Sequence, residues 1–283
     1  MHPWSKITAP TLLPGDEQQH VYMLIDGAQV DRVSLRLKSH AAMIETVAVF
    51  GQPLAPDRFD ATPHLLLLRD QDAIAALMRQ LQSSLGSFGA ISIIVSPLPL
   101  SELAIRLRAR LDARLPDQFD CINRYFDGRI TPHFHACLSP LQQQVFFSVA
   151  TQWWVLDHAQ EWQNLPCLFT AVDGFQAPLE LDEAQQSALI DACYPHTVIE
   201  HFMQSDEELL ETVPQTQRYA YFRDALKAAA SYGIDGGASA VLFCTLALTR
   251  GAEFFRLPQW AAELERVKRG EISLQQALEA QHD

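Results

Sequence analysis

The sequence predicts an α/β fold in two parts. An N-terminal α/β lobe over 1–178 carries a mixed or parallel sheet, and an all-helical C-terminal lobe follows over 179–283. Three observations predict it. Nearly continuous apolar runs at 21–25, 64–68 and 91–95 have the length of strands and the two-sided hydrophobicity of strands covered on both faces. Between them lie stretches whose apolar residues recur with helical spacing, and such alternation builds an α/β layer. From Asp182 onward, helical patterns follow one another almost without interruption.

The first strand lies in Tyr22-Met23-Leu24-Ile25-Asp26-Gly27-Ala28, an apolar run that stops at Asp-Gly. A carboxylate there accepts local backbone N–H groups and the glycine permits the turn. The second strand is 64–68. A helix is expected over 72–85, with Ile74, Leu77, Met78 and Leu81 on one face, before the third strand at 91–95. The next helix, 100–111, carries Leu100, Leu103, Ala104, Leu107 and Leu111 inward, and its arginines Arg106, Arg108 and Arg110 are expected to face water. A fourth strand is read at 121–126, running into Arg124-Tyr125-Phe126-Asp127-Gly128-Arg129 and a second Asp-Gly stop. Ser139-Pro140-Leu141-Gln142 reads as a capping box with proline at the first helical position, so a helix is expected from there through Trp153. A further strand or extended connector is expected over 165–172, and 178–182 reads as a linker. Asp182 caps the next helix, with Gln185 placed to reach back. Helices are expected at 183–203, 216–231, 238–249, 257–268 and 273–281, with the glycine loop 233–237 between two of them and Gly251 and Gly270 ending others.

Composition narrows the function. Of 283 residues, 48% are hydrophobic and 19% charged, which describes a chain able to bury a core. The formal charge of −13 argues against nucleic acid and anionic membrane surfaces as partners, since both require basic patches. A neutral or basic protein partner suits it better. The five cysteines, Cys121, Cys137, Cys167, Cys193 and Cys244, form no C-x-x-C pair and read as reduced, buried thiols. No hydrophobic signal core follows Lys6, and the apolar stretch 238–248 falls short of the roughly 20 residues a bilayer span takes, so a cytoplasmic location is expected.

Catalytic signals are sparse. Asp26 and Asp127, both at expected strand ends, would form a carboxylate pair or a divalent-cation site if they met, as in an α/β hydrolase-like enzyme. The plainer reading is that each caps its own turn. His133-Phe134-His135 stands in a context that favours a short helix, where the two imidazoles diverge, and no third ligand has a convincing spacing. The 233–237 loop lacks the lysine and hydroxyl of a P-loop, and no G-x-S-x-G elbow occurs. The expectation is therefore a protein without catalytic residues, cofactor or bound metal. Aromatic residues stand out instead: Phe146, Phe147, Trp153 and Trp154 in one segment, and Phe254, Phe255 and Trp260 in another. Adjacent aromatics on a helix cannot share one core. One of Trp153 and Trp154, and one of Phe254 and Phe255, is expected at a lobe interface or a partner-binding surface.

These residues resemble, over most of the chain, the type VI secretion effector chaperones or adaptors (the Tap/TEC type). Tyr22 to Ala28 is similar to the family's opening strand and turn, Thr62-Pro63-His64-Leu65-Leu66 to its proline-led second strand, and Phe88-Gly89-Ala90-Ile91 with the helix at 103–111 to its next segment. Arg124-Tyr125-Phe126-Asp127-Gly128-Arg129 is similar to its most specific phrase, with Gly128 where the family usually has proline. Trp153 falls where the family keeps a tryptophan, and Gly251-Ala252-Glu253-Phe254-Phe255 with Leu257-Pro258 is similar to the end of its helical lobe. The resemblance implies a non-enzymatic protein that binds a toxic effector in the bacterial cytoplasm and helps load it onto the VgrG spike. It implies apolar contact residues, for which Trp153, Trp154, Phe254 and Phe255 are the candidates. It leaves Asp26, Gly27, Arg124, Tyr125, Asp127 and Arg129 as motif residues expected to hold the fold, with contact to cargo the alternative role for Asp26, Arg124, Asp127 and Arg129.

Overall fold

The computed structural model describes residues 19–30, 32, 33, 37, 45–51, 60–69, 88–158 and 161–281. The helix expected over 72–85 lies outside them. The chain divides into two compact units, 1–190 and 191–283.

In the first unit, six strands among the described residues form one sheet: β1 (His20–Asp26), β2 (Glu45–Ala48), β3 (Pro63–Leu67), β4 (Ile91–Ser96), β7 (Gln152–Leu156) and β8 (Trp162–Leu165), in the order β2-β3-β1-β4-β7-β8. Every neighbouring pair is antiparallel, with Tyr22 opposite Leu67 on one side and Ile94 on the other. This corrects the expectation of a mixed or parallel main sheet. Continuous apolar runs report burial on two faces, and here an antiparallel sheet has that property. Tyr22, Leu24, Leu65, Leu67 and Ile94 belong to one core cluster, while Val21, Met23, Ile25, Leu66, Ile93 and Val95 belong to another. Mixed pairing is confined to a small second sheet of β5 (Asp112–Arg114), β6 (Asp120–Ile122) and β9 (Leu179–Glu180), in which β9 runs parallel to β5. The segment read as a linker at 178–182 is thus pinned by a strand.

Helix α1 (Leu100–Ala109) forms as its periodicity requires, with Leu103, Ala104 and Leu107 buried. Two short helices, α2 (Thr131–Cys137) and α3 (Pro140–Phe146), follow. The capping box of α3 closes in both directions: the Gln142 N–H donates to Ser139 Oγ and the Ser139 N–H to Gln142 Oε1. The helix does not reach Trp153, however. It ends at Phe146, and Trp153 and Trp154 stand in β7, where alternation sends neighbours to opposite faces. The strand read at 121–126 is likewise shorter, ending at Ile122; Tyr125 and Phe126 form a turn.

The second unit is helical. Helix α4 (Glu183–Ser205), whose first residues belong to the first unit, is capped as expected: Asp182 Oδ1 accepts from the Gln185 N–H at 2.8 Å, and Gln185 Oε1 accepts from the Asp182 N–H. There follow α5 (Glu207–Leu210), α6 (Arg218–Ser231), α7 (Gly237–Arg250), α8 (Pro258–Lys268) and α9 (Leu274–Glu279). Their apolar stripes meet in one cluster around Phe202, Phe222, Phe243, Phe254 and Trp260. The five cysteines are all free thiols, and burial pushes Cys244 up to about 12 and Cys167 up to about 11, which keeps both protonated and unreactive. No helix among the described residues is long and apolar enough to cross a membrane.

Candidate functional site

The two Asp-Gly phrases come together in the first unit. Asp26 ends β1 and caps the 3-10 turn Gly27–Gln29, with Oδ1 accepting from the Ala28 N–H at 3.1 Å. Its Oδ2 accepts from Gln29 Nε2 at 2.7 Å and from Arg124 Nη2 at 2.8 Å, across 98 positions of sequence. Asp127 takes a bidentate pair from Arg129: Nε to Oδ1 at 3.0 Å and Nη2 to Oδ2 at 2.8 Å. The Arg129 backbone N–H also donates to Oδ1. Arg124 Nη2 lies 3.5 Å from Asp127 Oδ2, so one guanidinium touches both carboxylates. The two aspartates are fully buried, whereas Arg124 is about half exposed and Arg129 less so.

Two carboxylates and two guanidinium groups balance to zero charge, and each buried oxygen has a donor. This suits an interior ion cluster, because an unpaired buried carboxylate is costly. It corrects the picture of Asp26 and Asp127 as an open carboxylate pair: the aspartates converge, but on an arginine. A base or cation ligand needs a free lone pair facing solvent, and none of these oxygens offers one. The Asp127 backbone is used as well. Its carbonyl accepts from the N–H groups of Ile130 and Thr131 and from Thr131 Oγ1 at 2.8 Å, which starts α2. Tyr125, fully buried, donates its hydroxyl to the Leu107 carbonyl at 2.7 Å and stands edge-on to Trp153.

Backbone closeness completes this clasp. The Gly128 N–H donates to the Gly89 carbonyl at 2.7 Å, and a Cβ on Gly89 would fall 2.4 Å from Arg129 Cγ. The glycine at 128 therefore supplies a donor that proline lacks. Gly128→Pro is expected to cost about 1–3 kcal/mol by stranding the Gly89 carbonyl. Gly128→Ala keeps the N–H and is expected to cost less, although its Cβ would meet the Gly89 oxygen at 3.0 Å. Urea denaturation of both variants checks the order.

Of the three arginines expected to face water, Arg108 is exposed, whereas Arg106 is largely covered and Arg110, which follows the last residue of α1, is buried. Arg106 donates to the carbonyls of Thr170 and Ala171, and Arg108 Nε donates to the Val49 carbonyl at 2.7 Å. Arg110 is wholly buried. Its Nε donates to the Phe146 carbonyl at 2.7 Å, Nη1 to the Arg106 carbonyl at 2.8 Å, and Nη2 to the Val145 carbonyl at 3.1 Å. Both terminal nitrogens also hold Asp173, at 2.9 and 2.7 Å, and the guanidinium lies 4.6 Å from the Phe175 ring centroid. The spacing already held the signal: Arg110 follows Leu107 by three positions, on the core face.

Of the four aromatic contact candidates, Trp153 and Phe254 are withdrawn. Each is buried in the core cluster of its own unit and presents no surface to a partner. Trp154 and Phe255 are partly exposed, and each packs on the rim of a cluster. The two histidines of α2 diverge as expected: His135 Nε2 meets the Pro166 carbonyl at 3.1 Å, while His133 Nε2 meets His158 Nε2 at 3.2 Å.

Comparison with known proteins adds one finding. The model of a family described as a domain of unknown function (DUF4123) matches residues 21–145, a little under half of the chain. The match runs from β1 through α3 and so contains both halves of the clasp. No curated protein and no solved structure matches the chain.

Proposed function

We propose that this protein is a non-catalytic adaptor that binds a type VI secretion effector in the bacterial cytoplasm and helps load it onto the VgrG spike. The observation that carries the reading is the match over 21–145, because the matched family is generally linked to type VI secretion effector loading. The clasp supports a binding role over a catalytic one. Its carboxylates are buried and paired with arginines, which suits a motif that organises a loop better than one that supplies a base. The charge of −13 suits a basic or neutral protein partner and would hasten encounter with a basic effector segment.

Contact falls to apolar side chains that are ordered yet reachable. Trp154 is held by its own indole N–H, which donates to Gln152 Oε1 at 2.9 Å, and Phe255 is braced by Phe243 and by the Arg256 guanidinium. Aromatic anchors of this kind lose little entropy on binding.

The test is co-purification of the tagged chain with the products of neighbouring genes through a salt wash. A stoichiometric complex with a toxin-like protein is the expected result. Trp154→Ala or Phe255→Ala is expected to weaken that complex by about 2 kcal/mol while the variant stays folded by circular dichroism. Recovery of neither an effector nor a spike protein would overturn the adaptor reading.

A further inference from the structure

We propose that His133 and His158 form a binding site for a divalent first-row transition ion, of the class of Zn²⁺, Ni²⁺ or Cu²⁺. The observation is geometric. The two rings are nearly parallel, at 17°, with centroids 5.2 Å apart, yet their Nε2 atoms are only 3.2 Å apart. The rings therefore converge on their Nε2 corners. Two imidazole nitrogens at about 2.0–2.1 Å from one tetrahedral ion stand about 3.3 Å apart, which is nearly the separation found. An ion can thus seat between them with little movement of either ring.

The chemistry agrees with the geometry. Imidazole nitrogen suits Zn²⁺, Cu²⁺ and Ni²⁺, whereas Mg²⁺ and Ca²⁺ require oxygen. Ligation needs the neutral ring, so binding is expected to weaken on acidification. The ligands come from different elements. His133 belongs to α2, and His158 follows β7 on the way to β8. A bound ion would tie the helix to the hairpin connection. The adjacent His135 provides an internal control, because its Nε2 is directed to the Pro166 carbonyl.

The experiment uses the untagged full-length chain and the metal alone, with Zn²⁺ followed by calorimetry and Co²⁺ by visible absorption. One ion per chain is expected, together with a rise in the thermal midpoint on adding Zn²⁺. His133→Ala and His158→Gln are each expected to weaken binding at least about tenfold, as loss of a ligand should exceed the usual effect of losing a group that merely orients one. His135→Ala is expected to bind as the parent does, and Mg²⁺ to give no signal. Folding of each variant is read by far-UV circular dichroism, and His158→Gln, in a turn, is the safer of the two. The proposal is overturned if the parent binds Zn²⁺ more weakly than about 1 mM, or if either variant retains parental affinity.

Discussion

Replacing Arg110 by methionine is expected to destabilise the N-terminal unit by about 3–5 kcal/mol, the cost of removing one partner from a buried ion pair. The side chain does more than neutralise Asp173. Its guanidinium collects the Arg106 carbonyl in the last turn of α1 and the Val145 and Phe146 carbonyls at the end of α3, groups that a helix leaves without intrahelical donors. A cation at two helix ends is also favoured by both macrodipoles. Methionine fills the volume but takes the guanidinium from the Arg106 and Phe146 carbonyls, and leaves the Val145 carbonyl with Ser148 Oγ and the Asp173 carboxylate with the Phe175 N–H. Urea denaturation followed by tryptophan fluorescence measures the loss; a change below about 1 kcal/mol would sink the idea, since buried carbonyls stranded this way cost more. Asp173→Asn should cost less, because Asp173 reaches solvent and Arg110 keeps its carbonyl partners.

The same pair sets a pH dependence. Burial raises the Asp173 carboxyl, but the hydrogen bonds and charge of Arg110, the Phe175 N–H and Arg106 outweigh it and hold it below the usual carboxylate range. A carboxyl lowered in the folded state contributes stability that is fully present above its unfolded value, about 3.9, and is lost as pH falls through the folded value. Stability of the parent should therefore fall on acidification below about pH 4 more steeply than that of Asp173→Asn.

Arg110 also marks where the sequence was readable and where it was not. Helical spacing places Leu103, Ala104 and Leu107 inside, as found, and it places Arg110 on the same face; only the charge of that side chain argues for solvent. Only the tertiary contacts to 145–148 and 173 make that burial affordable, and they come from elements remote in sequence. Trp153-Trp154 failed for a different reason. The capping box at Ser139 identifies where a helix begins, yet neither glycine nor proline marks its end between 141 and 165, so the change from helical to strand alternation at Gln152 left no local sign. The helical unit was the most legible part. There the stripes are long, and capping residues and glycines delimit them, as at Asp182, Gly251 and Gly270. For the clasp, residue types were legible but not the pairing: that Asp26 turns to Arg124 is decided by how β1 and the 124–129 loop pack.

Gly27→Ala is the sharpest test of that packing. A Cβ at this position would lie 2.3 Å from the Asp60 carbonyl oxygen and 2.3 Å from that of Thr62, both backbone atoms of the segment leading into β3. A side chain in the way can rotate aside; two backbone carbonyls beside a sheet strand cannot, so the chain must part locally. The expected cost is at least about 3 kcal/mol, the upper end for overpacking, read as a lowered urea midpoint or as loss of soluble protein. Gly174→Ala, with no atom near its Cβ, should leave stability unchanged within about 0.5 kcal/mol. Parental stability in Gly27→Ala would mean that the 60–62 segment does not press on β1. The outcome also governs how binding data are read. A clasp variant that unfolds loses every partner, so loss of an effector by Gly27→Ala says nothing about contact. Loss of the same effector by a fully folded Trp154→Ala would place the contact at that side chain, and the two variants together separate a motif that shapes the protein from a surface that meets its cargo.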